Sequence, residues 1–329
     1  MRSSSPLGEF DIIEKYFQQS KLRQDVLLGV GDDAALVIPA ENSQIAISTD
    51  TLVEGVHFFS DIPPHALGHK ALAVNLSDMA AMGAEPRWVT LAITLPGVDE
   101  AWLEQFCSGF FDLAEYFNVS LIGGDTTKGP LSITVTVHGI VPAGKALYRS
   151  GAKPGDRVYV TGSLGDSGLA LAHLQQQLSL TPQQLELSLK RHYYPLPRVL
   201  AGYGLRDVAS AAIDISDGLY NDLQHILRQS HCSATLNLEH IPMSETLSEA
   251  VGVDRGLQFA LTGGEDYELC FTVPESNKGS LETALAYSGV PYTVIGQLAP
   301  GTGEIRLHYQ EQPYHLEGLG WDHFSHENK

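Results

Sequence analysis

Carboxylates recur beside glycines and apolar runs throughout this chain. The stretch GVGDDAALV (residues 29–37) sets Asp32 and Asp33 side by side. ISTDTL carries Asp50, NLSDMA carries Asp78, and IGGDTT carries Asp125. IDISDGL adds Asp214 and Asp217, and TGGEDYEL adds Glu265 and Asp266. Adjacent like charges repel, and burial sharpens the repulsion. A bound cation relieves it. Oxygen-only donors select a hard ion, Mg²⁺ before Ca²⁺ or Zn²⁺. Magnesium sites combine a few carboxylates with substrate phosphates. Such a site suits nucleotide-dependent phosphoryl transfer, where catalysis is mainly positioning and charge neutralisation. No GxxxxGK[ST] loop, kinase HRD or DFG set, or EF-hand loop is present.

Each aspartate also has a plainer reading. Most acidic side chains are simply solvated. Asp125 in GGDTT and Asp217 in SDGL could be turn or helix-cap residues. Against this, AISTD and SLIGGD run from apolar strands to a carboxylate, which predicts aspartates at strand ends, where α/β folds place ligands. Asp78 lies in ALAVNLSDMAAM, a helix apolar nearly all round and so expected to be buried. A carboxylate there needs a partner. Asn75 shares its face, Lys70 is two turns back, and a cation is the natural partner. TGSLGDSG (161–168) could hold phosphate at a helix N-terminus, although a plain strand-to-helix turn fits it better.

The elements that position these residues follow from periodicity. EFDIIEKYFQQS (9–20) reads as an amphipathic helix. QIAISTDTL reads as a strand ending near Asp50. PPHALGHKALAVNLSDMAAMG reads as a helix that starts at Pro63 and Pro64 and stops at Gly83. RWVTLAITL is a strand, and an amphipathic helix begins near Asp99. VSLIGGDTT reads as a short buried strand running into a glycine turn, and LSITVTVHGIV as a further strand. GAKPGD is a turn cluster after which RVYVTG starts afresh, so a domain boundary is expected near residue 150. The second half predicts helices at 181–192, at 197–205 and after Asp217. It predicts strands at SAAID and near 234–238, 267–273, 292–297 and 304–309. SHENK reads as a frayed tail.

The 329 residues favour two domains. With 43% hydrophobic and 18% charged residues, a core can form. The net charge of −19, from 39 acids against 20 bases without a basic cluster, disfavours nucleic acid as a partner. No apolar run approaches the roughly 18–20 residues of a membrane helix. MRSSSPLGEF lacks the apolar stretch of a signal peptide. Cys107, Cys232 and Cys270 are scattered, which argues for a reducing compartment and against a thiolate zinc site. The expected location is the cytoplasm.

Taken in order, GVGDDAAL, STDTLVEGVHF, KALAVNLSDMAAMGA, IGGDTTKG, RSGAKPGD, DISDGL and GGEDYEL resemble the thiamine-monophosphate kinase family nearly end to end, as far as GWDHF at 320–324. The wider group includes aminoimidazole ribonucleotide synthetase, selenophosphate synthetase and a hydrogenase maturation protein. The resemblance implies an α/β (α+β) chain. Residues 1–150 would form an ATP- and magnesium-binding α/β domain whose strands join a dimeric β-barrel. Residues 151–329 would form an α+β domain that completes the site. It implies transfer of the ATP γ-phosphate to thiamine monophosphate, several Mg²⁺ ions and a homodimer. Asp33, Thr49, Asp50, Asp78, Asp125 and Asp214 are implied magnesium ligands, with Ser48 a further one and Asp217 serving a metal near the nucleotide. Gly124, Asp125, Arg149 and Ser216 are implied ATP contacts. His57, Glu265 and Trp321 are implied on the thiamine side. The role of Asp32 stays open. The alternatives are another ATP-dependent enzyme of the group and a non-catalytic acidic metal-binding module. Selenophosphate synthetase is disfavoured because it has a reactive residue near its N-terminus, whereas the first cysteine here is Cys107.

Overall fold

A computed structural model describes residues 8–18 and 22–316. The chain divides into two compact units, 1–79 with 84–144 and 80–83 with 145–329.

The first unit opens with α1 (Glu9–Ile12), which continues as a π-helical stretch to Phe17. The predicted single helix is therefore shorter and changes its winding. A hairpin of β1 (Val26–Leu28) and β2 (Leu36–Val37) follows. Next come β3 (Ser43–Val53), α2 (Pro64–Ala81), β4 (Glu85–Leu95), α3 (Glu100–Tyr116), β5 (Ser120–Lys128) and β6 (Ser132–Pro142). The long strands form a sheet in the order β3-β6-β4-β5. Only the β4–β5 pairing is parallel.

Alternation sorts this sheet into two faces. One face carries buried Leu52, Ile133, Val135, Leu91 and Ile93. Helix α2 lies on it: a β-carbon at Gly139 of β6 would stand 2.5 Å from the Met79 sulfur. Helices α2 and α3 cross closely through glycines. A β-carbon at Gly68 would stand 2.0 Å from Phe106 O, and one at Gly109 would stand 1.9 Å from His65 O. The Asp99 carboxylate caps α3 by accepting from Trp102 N at 3.1 Å. On the opposite face, Trp88, Ile122 and Ile140 form a small cluster against Val26 and Val37 of the hairpin. Asp25 anchors the hairpin there, accepting from Trp88 Nε1 at 3.0 Å, Arg87 at 3.1 Å and Arg23. Burial alone would raise the Asp25 carboxyl. The hydrogen bonds from Arg23 and Trp88 and the two guanidinium charges outweigh it and hold it low.

The second unit contains β7 (Arg157–Thr161), α4 (Asp166–Leu174), α5 (Pro182–Tyr193), α6 (Val199–Leu205), β8 (Ala211–Asp214), α7 (Leu219–Ser230), β9 (Cys232–Asn237), α8 (Glu245–Thr262), β10 (Leu269–Val273), α9 (Lys278–Leu285), β11 (Tyr292–Pro300), β12 (Ile305–Tyr309) and β13 (Gln312–Pro313). Its strands run β13-β12-β9-β11-β7-β10-β8. All pairings are antiparallel except β9–β12. Leu219, Leu223, Ile226, Leu257 and Leu261 from α7 and α8 cover one face, over Val158, Val160, Ile213 and Cys270. Tyr159 and Phe271 stack at 5.4 Å elsewhere on the same strands. Helices α8 and α9 have no counterpart in the sequence reading. The former is broken at Gly252, whose φ is 75°.

Candidate active site

The structure places three predicted residues of the first unit on the helix side of the sheet. Ser48 and Asp50 alternate onto that side from β3, and Asp78 meets them from α2. The Ser48 hydroxyl donates to Asp78 Oδ2. Asn75, one helical turn before Asp78, accepts from Asp50 N at 3.2 Å and donates to Ala71 O. Two expectations change here. Asp78 is half-buried, not buried, and has a hydroxyl partner within the protein. Asp50 lies inside β3, which runs on to Val53, and not at a strand end.

Thr49 and Asp125 alternate to the other face. Thr49 sits opposite Thr136, with their hydroxyls 2.9 Å apart. Asp125 pairs with Ala92, which pairs with Thr134, and Thr134 pairs with Thr51. The expected glycine turn at Gly123–Gly124 is absent: β5 passes straight through GGDTT, so Asp125 is neither a turn nor a cap residue. The glycine serves a close approach instead. A β-carbon at Gly124 would stand 1.8 Å from Leu91 O. Asp33 is exposed in the loop of the β1–β2 hairpin, packed on this same face. Asp32 Oδ1 accepts from Asp33 N at 2.8 Å, which gives Asp32 a local backbone role. His57 follows β3 in a tight loop, and its Nδ1 accepts from Val53 N at 3.0 Å.

In the second unit, two segments zip together at the end of the sheet. Asp214 pairs with Leu269. Beyond it, Ile215 N donates to Glu268 O, Tyr267 N to Ile215 O, and Glu265 N to Ser216 O, at 2.8–2.9 Å. This brings Asp214, Ser216, Asp217 and Glu265 into one neighbourhood. Asp214 is buried, and Ser216 and Asp217 are half-buried. Arg149 is exposed, with its carbonyl held by Ser230. His225 senses it: burial first, then the Arg149 and Arg228 charges, lower the imidazole.

Two residues here, Asp222 and His192, were not singled out in the sequence, and Asp266 was noted there without a role. Asp222 Oδ2 accepts from both Ser216 N and Asp217 N at 3.0 Å. Burial first, then the Asp214 and Asp217 charges, push its carboxyl up to about 8. The Asp266 carboxylate takes Gly165 N on both oxygens at 3.0 Å. The N-terminus of α4 is therefore already occupied by a carboxyl group of the protein, so TGSLGDSG is a strand-to-helix turn. His192 stands 3.2 Å through Nδ1 from Glu265 Oε2. Its only signal in sequence was a polar residue in the last turn of an amphipathic helix. Trp321 lies outside the described residues. Among the described residues, no group of three or more His, Cys, Asp and Glu side chains is placed to hold a metal ion. No helix of the described residues is long and apolar enough to cross a membrane.

Comparison with known proteins assigns the frame. Residues 31–141 match the N-terminal domain of AIR synthase related proteins, and residues 153–308 match the C-terminal domain. The thiamine-monophosphate kinase of Escherichia coli K12 is 53% identical over 320 residues, covering 97% of this chain and 98% of that protein. The crystal structure of thiamine-monophosphate kinase from Stenotrophomonas maltophilia K279a superposes with a TM-score of 0.82 at 44% identity, covering 89% of this chain and 93% of that one. The structure of AaThiL complexed with AMPPCP and TMP superposes with a TM-score of 0.76 at 31% identity, covering 90% and 92%. Similarity of this extent covers both units, so the chain belongs to the thiamine-monophosphate kinase family and is an ATP-dependent kinase.

Proposed function

We propose that this enzyme transfers the γ-phosphate of ATP directly to the phosphate of thiamine monophosphate, giving thiamine diphosphate and ADP. The observation that carries the reading is the near end-to-end similarity to thiamine-monophosphate kinases, one of them solved with AMPPCP and TMP bound. AMPPCP is ATP with a methylene in place of the β–γ bridging oxygen, so that pair stands in for the two substrates.

The side chains fit magnesium by donor type. Asp33, Ser48, Thr49, Asp50, Asp78, Asp125, Asp214 and Asp217 offer only oxygen, as a hard cation prefers. A hydroxyl and a carboxylate from two elements already meet at Ser48 and Asp78. These residues would hold the ions, and bound magnesium would supply charge neutralisation between two polyanions in a chain of net charge −19. Gly124, Asp125, Arg149 and Ser216 would bind the nucleotide. The Arg149 guanidinium matches a phosphate with two donors. His57, Glu265 and Trp321 would bind thiamine monophosphate, with Glu265 facing its cationic thiazolium. The acceptor phosphate is already an oxyanion, so in-line transfer needs neither a strong general base nor a covalent enzyme intermediate.

A homodimer in the cytoplasm completes the proposal. Ile45 and Ile47 stand 48% and 63% exposed on edge strand β3, on the face away from the helices. An apolar strand edge of this kind favours pairing with another chain. A second copy closing a barrel there would cover it. Residues 1–150 would then bind ATP and magnesium and dimerise, and residues 151–329 would complete the site.

The test is formation of thiamine diphosphate from ATP, Mg²⁺ and thiamine monophosphate, with free thiamine and the Asp78→Asn variant as controls. Product from the monophosphate alone, lost in a folded variant, is expected. No product from folded protein that binds ATP would redirect the reading to another acceptor.

A further inference from the structure

Glu265 is held in an unusual way. Its φ is 65°, a left-handed conformation that L-residues other than Asn and Asp seldom adopt. Two glycines precede it, yet Gly263 has φ −71° and Gly264 is not among the positive-φ residues. Gly264 serves close packing instead: a β-carbon there would stand 2.5 Å from Ser216 O. The chain thus spends its glycines elsewhere and puts a carboxylate where glycine would be least strained. Strain of this kind clusters at functional sites. The backbone is locked by Glu265 N donating to Ser216 O at 2.8 Å and Tyr267 N donating to Ile215 O at 2.9 Å.

The side chain is locked as well. Glu265 Oε2 lies 3.2 Å from His192 Nδ1, with the histidine side chain 5% exposed and the glutamate 24%. Ser167 Oγ lies 2.9 Å from the same nitrogen. An ionised carboxylate only accepts, so Nδ1 must carry the proton that faces it, and the Ser167 oxygen is a second acceptor for that N–H. Ser167 is in the first turn of α4, whose N-cap Gly165 is bound by Asp266, the residue after Glu265. Helices α4 and α5 and the Glu265 loop therefore form one scaffold around His192.

We propose that His192 is a positioning residue for the phosphate acceptor: its Nδ1–H fixes the Glu265 carboxylate in the orientation that meets the cationic ring of thiamine monophosphate. The proposal rests on the reading of Glu265 as a substrate-binding residue. A histidine suits the task better than lysine or arginine. It orients the carboxylate through one N–H without bringing a fixed positive charge that would cancel the attraction for a cation. A preorganised carboxylate also spares the ordering cost that a mobile one would meet on binding.

The test compares His192→Asn, whose amide N–H falls near the Nδ1 position, with His192→Gln, whose amide falls near Nε2. Both are made in the full-length enzyme and in a Glu265→Ala background. Thermal denaturation reports folding, and KM and kcat are measured with each substrate varied in turn. His192→Gln is expected to raise KM for thiamine monophosphate about tenfold to a hundredfold, and His192→Asn to leave it within about twofold, with KM for ATP unchanged in both, as loss of one charge-assisted hydrogen bond requires. In the Glu265→Ala background, His192→Gln should add nothing to KM for thiamine monophosphate. Equal changes in both substrates' KM, no change in either, or effects that multiply with Glu265→Ala overturn the proposal. If Glu265→Ala raises KM and His192→Gln does not, this proposal alone falls. If Glu265→Ala leaves KM unchanged, the reading of Glu265 falls and takes the proposal with it. If the Gln variant does not fold, the Asn variant decides: a selective loss of thiamine monophosphate binding with the donor retained refutes the role.

Discussion

Gly123 and Gly124 are neighbours on β5, and alanine at each should have opposite consequences. At Gly124 a β-carbon would stand 1.8 Å from Leu91 O and 2.6 Å from Leu91 C. Real β-carbons essentially never approach within 3.0 Å, so β4 and β5 must part by about 1.2 Å at this point. Ladder hydrogen bonds near 2.9 Å would then exceed about 4 Å and be lost. Two or three bonds at about 1 kcal/mol each, with some added desolvation, give a loss of about 2–4 kcal/mol. At Gly123 the first neighbour is Thr90 Cγ2 at 3.9 Å, an ordinary contact. Gly123→Ala should change stability by less than about 1 kcal/mol, and in the stabilising direction if strand entropy dominates. Urea unfolding of the two variants measures this directly. Turnover should separate them further, because an ångström-scale shift of Asp125 next door would cost about a hundredfold in rate. Equal stability and equal turnover in the two variants would refute both the close approach and the placement of Asp125 at the phosphates.

Two further outcomes follow from buried carboxylates. Burial raises the Asp266 carboxyl well above its ordinary value, outweighing the Gly165 N–H that lowers it. The unfolded chain gives up this proton near pH 4 while the folded chain keeps it, so stability falls as pH rises above about 4 toward the folded value. Asp266→Asn keeps an acceptor for Gly165 N without the ionisation, so its stability relative to the parent should improve as the pH rises above about 4. A flat difference in urea midpoints across that range would count against it. Glu268 is buried against Arg198, whose Nε donates at 2.6 Å, and also accepts from Thr161 Oγ1 at 2.6 Å. Arg198→Met strands that charge and should cost about 3–5 kcal/mol in urea unfolding. A loss under about 1 kcal/mol would show that the ion pair contributes little.

Local patterns in the sequence reached the elements but not their neighbours. Prolines at the start and Gly83 at the end bound α2, and the Asp99 cap set the start of α3. Both are signals carried within one turn of helix. The GGDTT stretch misled because a turn and a close strand approach make the same demand, a missing β-carbon. Only the position of Leu91 O distinguishes them. The end of β3 misled because Asp50, taken as a strand-end residue, faces the helix side, where Asn75 accepts its N–H and the strand continues. The Ser48 contact with Asp78 spans 30 residues of sequence, and no local pattern encodes it. Helix α8 was missed because Gly252 breaks its period. Asp222 and His192 were missed because a polar residue on an amphipathic helix reads as solvated until its neighbours are known.

The same division of labour recurs at three acidic sites, and it answers why carboxylates crowd together in this chain. Asp32 turns its oxygen onto Asp33 N, Asp222 takes the N–H groups of Ser216 and Asp217, and Asp266 takes that of Gly165. In each case one carboxylate saturates backbone donors. The acid beside it, Asp33, Asp217 or Glu265, is left exposed or partly exposed. The member bound to N–H groups loses none of its partners if the other moves toward a cation. Both substrate ends of the proposed reaction offer positive charge, as magnesium on the phosphates and as the thiazolium ring. A chain with 39 acids against 20 bases needs such ligands near these pairs more than it needs further bases of its own. The bases that do bind carboxylates tightly, such as Arg23, Arg87 and Arg198, pair with Asp25, Glu85 and Glu268 as parts of the frame.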